Sequence, residues 1–158
     1  MSKDSLAFEH SLPLADLAAT DALGARIAAG LHVGDAVALQ GDLGAGKTTL
    51  ARAILTALGV TEAVPSPTFT LVQEYETPRL PVRHYDLYRI ENPSEMEELG
   101  LTEALDEGAA LIEWPERALA WLPADRLHIA MSLKDGTRRA RISGPQRWAA
   151  AMMETGRV

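Results

Sequence analysis

Two periods of apolar residues alternate along this chain, one suited to strands and one to helices. Ser5 to Leu12 alternates weakly and predicts a strand, after which Leu14, Leu17, Ala18, Leu23, Ile27 and Leu31 return at helical spacing. Ala36 to Gln40 is a short β-forming run that enters a glycine cluster, and Lys47 to Leu58 carries a helix pattern that Gly59 stops. Phe69 to Tyr75 and Val82 to Tyr88 predict two strands, joined through Glu76 to Pro81 as a hairpin connection with two prolines. The polar stretch Glu91 to Glu107 predicts one or two short surface helices, with Ser94 as N-cap and Glu97 completing a capping box. Ala109 to Glu113 is an apolar strand ending in an acid, and Trp114-Pro115 breaks it. Arg126 to Leu133 and Thr137 to Ser143 flank Lys134, Asp135 and Gly136, where Asp-Gly signals a tight hairpin. A helix from Pro145 onward completes the pattern.

Strands separated by helices predict an α/β fold, and no repeat, low-complexity tract or linker divides residues 1–158, so one domain is expected. A domain of this length buries roughly 70% of the surface its unfolded chain exposes, enough for one core. The last fifteen or so residues are expected at its periphery. With 47% hydrophobic and 23% charged residues and no run near the ~18 apolar residues of a membrane helix, a soluble protein is expected. Met1 to His10 carries Lys3, Asp4 and Glu9 and lacks the apolar run of a secretory signal, so the cytoplasm is the expected compartment. The absence of cysteine excludes a disulfide framework and thiolate metal ligation. A net charge of -7 argues against non-specific nucleic-acid binding by the domain as a whole.

The glycine cluster carries the chemistry. Gly41-Asp42-Leu43-Gly44-Ala45-Gly46-Lys47-Thr48 matches G-x-x-x-x-G-K-[ST] at every defined position and lies between a predicted strand and a predicted helix. Glycines let backbone N–H groups turn inward on phosphates, and the helix that begins there adds free N–H groups and its positive dipole end. In this pattern residues Gly41 to Thr49 bind the nucleotide, Lys47 reaches the outer phosphates and the Thr48 hydroxyl is a magnesium ligand. The fold class is then a single-domain P-loop NTPase-like three-layer sandwich, with a mixed, mainly parallel sheet, helices on both faces and antiparallel hairpins. No N-K-x-D element accompanies the loop, which favours adenine over guanine.

A phosphate-bridging cation also needs a carboxylate from a neighbouring strand. Glu113 ends an apolar strand, where ligands bind in open α/β sheets, and is the first candidate. Asp86 lies in Val82-Arg83-His84-Tyr85-Asp86-Leu87-Tyr88, where Val82, His84, Asp86 and Tyr88 share a face. Asp86 serves either the site or a partner such as Arg83 or Arg89. In Ser66-Pro67-Thr68-Phe69-Thr70 a hydroxyl could touch magnesium or position water, the alternative being a turn set by Pro65 and Pro67.

Four blocks together resemble the TsaE family: Gly41 to Thr49, Ser66 to Val72, His84 to Arg89, and Ile112 to Pro115. That family is the bacterial ATPase of tRNA threonylcarbamoyladenosine synthesis. The resemblance implies ATP hydrolysis, weak in the isolated protein, in support of a TsaB–TsaD complex that attaches threonylcarbamoyl to an adenosine of tRNA. It further implies Thr48 and Glu113 on magnesium, Lys47 on phosphates, Thr68 as a switch-like threonine, Asp86 organising metal or water, and Trp114 packed beside the site. The N-terminal β-α unit, with the terminal hairpin, would help enclose the adenine. No catalytic arginine stands out, and Arg139 and Arg141 share a strand face that reads as a solvated edge or a contact for tRNA or a partner. A small-molecule kinase and a nucleotide-sensing scaffold are the competing functions.

Overall fold

A computed structural model describes residues 7–65 and 71–153 of the chain. Its centre is β2 (Ala36–Gln40), whose first four residues are buried. It pairs in parallel with β5 (Ala109–Glu113) on one side and β6 (Leu127–Lys134) on the other. All five residues of β5 are buried, as an unbroken apolar strand covered on both faces requires. β4 (Val82–Asp86) extends the parallel centre, with Asp86 beside Glu113 in the register. The edges are antiparallel: β3 (Val72–Tyr75) on β4, and the pair β7 (Thr137–Pro145) and β1 (Ala7–Pro13) beyond β6. The seven strands run in the order β1-β7-β6-β2-β5-β4-β3.

Helices α1 (Leu17–Gly30), α2 (Lys47–Ala57) and α4 (Ala149–Met153) cover one face. They bury Leu23, Ile27, Leu50 and Ile54 against Val37, Leu39, Leu111 and Ile129. The other face carries α3 (Leu101–Glu107) and two 3-10 segments, over Tyr85, Ala110 and Ile112. Asp16 caps α1 by accepting from the Ala19 N–H at 2.9 Å. The far end is closed by Arg79, which donates to the carbonyl of Ala28 at 2.6 Å and to that of Leu31. A Cβ at Gly24 would stand 2.5 Å from the Ala53 Cβ, so this glycine sets how closely α1 and α2 pack.

Several boundaries differ from the sequence reading. The strand expected over Phe69 to Tyr75 begins at Val72, residues 66–70 lying outside the described residues, and the next strand ends at Asp86 instead of Tyr88. The first helical turn after β4 is capped by Asn92, not Ser94, and its capping box is closed by Glu95, not Glu97. Pro93 explains the shift: proline suits the first helical position, which makes the residue before it the cap. The C-terminal segment, expected at the periphery, seats Trp148 and Met152 in the main core. The β6–β7 hairpin turns on Asp135 and Gly136 at φ 54° and 77°, the paired positive values of a type I′ turn.

Candidate nucleotide site

The glycine loop leaves the carboxyl end of β2 and enters α2, where a parallel sheet opens to ligands. A Cβ at Gly41 would lie 2.6 Å from the Met131 carbonyl oxygen, so the loop's first residue must be glycine to run against β6. Gly46, at φ +106°, turns the chain into the helix and frees the N–H groups of the first turn. Leu43, Gly44, Gly46, Lys47, Thr48 and Thr49 then form one side of a cleft of about 310 Å³, with Asp86, Glu113 and Trp114 opposite.

Thr48 and Glu113 meet there. The Thr48 hydroxyl lies 3.0 and 2.9 Å from the two oxygens of the Glu113 carboxylate, joining the start of α2 to the end of β5. Glu113 is 2% exposed and receives a second contact from His84, whose Nε2 lies 2.8 Å from Oε2. His84 is fully buried and its Nδ1 has no partner among the described residues. The Nε2 contact is a donation to Glu113, since a carboxylate oxygen accepts. Asp86 sits beside Glu113 at the end of β4, and its Oδ1 accepts the Tyr88 N–H at 3.0 Å. Of the two arginines weighed as its partners, Arg83 is engaged by Glu74 at 3.1 Å and by the Gly100 carbonyl at 3.0 Å.

Two buried carboxylates on adjacent strand ends repel unless a cation sits with them. Lys47 is one cation that the chain brings to this cleft. Its Nζ donates to the carbonyls of Gly41 at 2.6 Å and Asp42 at 3.0 Å and lies 4.4 Å from the centroid of the Trp114 ring. Burial holds its pKa below the usual lysine value, opposed by Glu113, Glu116, Asp86 and Asp42. Trp114 is placed by its own backbone: at φ 60° it ends β5 abruptly and turns the ring over the cleft, where Tyr88 packs on it at 4.8 Å. Among the described residues no three acids or histidines form a cage that would hold a metal alone. The hard oxygen donors of Thr48 and Glu113 suit magnesium, which takes one or two protein oxygens and completes its shell from phosphates and water.

A second hollow of about 190 Å³ adjoins the first, between Leu14, Asp16, Leu17 and Thr20 of the N-terminal unit and Met131 of β6. Gly46, Thr49 and Arg138 line both hollows. Arg138 is a residue the sequence reading passed over. It sits just after the hairpin turn, and its Nη2 donates to the Gly44 carbonyl at 3.2 Å. Its position on β7 could have been read from the Asp-Gly turn, but its nearness to Gly44 depends on β6 lying beside β2. Thr68 lies outside the described residues. Arg139 and Arg141 are exposed, and Arg141 pairs with Glu9 at 3.3 Å.

Residues 14–141 match the sequence profile of TsaE, described as threonylcarbamoyl adenosine biosynthesis protein TsaE. The chain belongs to the TsaE family. The tRNA threonylcarbamoyladenosine biosynthesis protein TsaE of Bacillus subtilis (strain 168) is 43% identical over 113 residues, covering 71% of this chain and 70% of that one. The TsaE of Nostoc sp. (strain PCC 7120) is 40% identical over 136 residues, covering 82% and 83%. The crystal structure of Bacillus subtilis YdiB superimposes with a TM-score of 0.79 at 30% identity, covering 96% of this chain and 97% of the other. Lys47, Thr48, Asp86, Glu113 and Trp114 all line one cleft.

Proposed function

We propose that this TsaE-family chain is a magnesium-dependent ATP-binding and hydrolysing subunit required for threonylcarbamoylation of adenosine in tRNA. In this reading it acts in the cytoplasm on a TsaB–TsaD complex and transfers no group itself. The observation that carries the nucleotide part is the Thr48 hydroxyl held on both oxygens of Glu113 at the mouth of a glycine loop. That pair is what a phosphate-bound cation needs from the protein.

The triphosphate lies along Gly41 to Thr49, accepting from the loop N–H groups. Lys47 leaves the carbonyls of Gly41 and Asp42 for the outer phosphates, since a charged acceptor makes a stronger hydrogen bond than a neutral one. The base enters the hollow between Leu14, Leu17 and Met131. Thr48 and Glu113 would hold magnesium, which would supply charge to neutralise the phosphates. Asp86 would orient the attacking water, and Thr68, outside the described residues, is the switch-like threonine that the family resemblance implies. The family supports the role in tRNA modification, and every curated relative named above is a biosynthesis protein of that nucleoside.

Two measurements test the reading. Calorimetry with ATP and Mg²⁺ should give saturable binding to the wild type and none to Lys47→Ala. Phosphate release should rise when TsaB and TsaD are added together. Free phosphate unchanged by the partners would overturn the assembly role, and absence of ATP binding would overturn the nucleotide role.

A further inference from the structure

Arg138 occupies the seam between the two hollows. It lines the base-side cavity of about 190 Å³ and the phosphate-side cleft of about 310 Å³ alike. Its side chain lies along the glycine loop, with Cδ and Nε each 3.7 Å from where a Cβ of Gly46 would stand, and Nη2 on the Gly44 carbonyl. The backbone beneath it is pinned on both sides. Arg138 pairs with Leu133 across the hairpin, and its carbonyl accepts the Leu14 N–H at 2.8 Å from the N-terminal unit. The guanidinium can therefore turn while its root stays fixed, and the side chain is exposed, with solvent room to do so.

We propose that Arg138 is a nucleotide-contacting cation supplied by the chain itself, which clasps the stretch of phosphate chain joining the nucleoside to the outer phosphates. The inference rests on the nucleotide reading above. The Gly44 carbonyl is a neutral, single acceptor, whereas a phosphate adds the attraction of opposite charge and a second oxygen for the guanidinium fork, so the exchange is favoured. Arginine suits the place because its planar fork can hold two phosphate oxygens at once, which a lysine ammonium does not. Lys47 serves the outer phosphates from the start of α2, while Arg138 also borders the base-side hollow, so the two cations address different parts of the same chain.

The test is calorimetric titration of wild type, Arg138→Ala and Arg138→Lys with ATP, ADP and adenosine in Mg²⁺, with thermal melts to verify folding. Arg138→Ala should weaken ATP and ADP by roughly 10- to 100-fold, the size of one charged hydrogen-bond contact. Arg138→Lys should recover part of that loss, and adenosine should bind all three proteins alike. Unaltered ATP affinity in a folded Arg138→Ala would overturn this inference alone, as would equal losses for ATP and adenosine. A wild type that fails to bind ATP would overturn the nucleotide reading and this contact with it.

Discussion

The ammonium of Lys47 lies 4.4 Å from the centre of the Trp114 ring, and that ring is packed at 4.8 Å against Tyr88. The lysine of this phosphate loop is thus held by an aromatic face and two carbonyls. The ring contact is worth about 0.5–2 kcal/mol, little enough for a triphosphate to displace it. Displacement alters the surroundings of the indole. Adding ATP with Mg²⁺ should shift tryptophan fluorescence in the wild type, and Trp114→Phe should abolish the shift. A shift that survives in Trp114→Phe would assign the signal to Trp121 or Trp148.

Glu113 is held from two sides, by Thr48 and by His84. Glu113→Ala should cost magnesium-dependent hydrolysis more than nucleotide binding. His84→Asn removes only the rear support and should lower the magnesium-dependent gain in ATP affinity about tenfold, as loss of a ligand's supporting hydrogen bond does. Titrating ATP in Mg²⁺ and again in excess chelator separates the two effects. Equal losses in both conditions would mean that His84 supports the fold and not the carboxylate's aim.

Gly24 sets the approach of α1 to α2. A Cβ there meets the Ala53 Cβ at 2.5 Å and the Ala53 carbonyl carbon at 2.8 Å, so the helices must separate to admit it. Gly24→Ala should destabilise the protein by about 1–3 kcal/mol, the usual cost of overpacking, despite alanine's better helix propensity. Denaturant unfolding would measure it, and a stabilised variant would contradict the packing.

His128 shapes the acid side of the stability profile. Burial pushes its pKa below the ordinary 6.5, helped by Arg126 and Arg141 and opposed by Glu116. The unfolded chain therefore takes up a proton at pH values where the folded one does not, and stability falls as pH drops from about 6.5 through the lowered value. Its Nε2 lies 2.6 Å from Gln40 Oε1, a contact that a second amide can keep. His128→Gln should flatten this part of the melting-temperature profile between about pH 5 and 7. An unchanged slope would remove His128 from the titration.

The sheet's parallel centre was readable because β2 and β5 are buried on both faces and so carry continuous apolar runs. Lys47, Thr48 and Glu113 were readable for a related reason, since one motif and one strand end fix where they stand. Asn92 and Ser94 were confused because either can cap, and only Pro93 decides between them. Trp148 escaped because a short C-terminal pattern gives no hint that Gly30 has left room for an indole ring. His84 and Arg138 were hidden for a deeper reason. Each matters through a contact made across the sheet, His84 to the end of β5 and Arg138 to the loop after β2, and strand order is not written in local periodicity.

The pairing of β1 with β7 has its own outcome for how this molecule is made. Ala7 to Pro13 stands against Arg139 to Pro145, so the first of the seven strands waits for the seventh. On a ribosome the glycine loop and its helix emerge first, and the wall formed by Leu14 and Arg138 can join only after Arg138, 94 residues beyond Gly44, has followed. Competence to grip a ligand would then wait for the moment β1 zips onto β7.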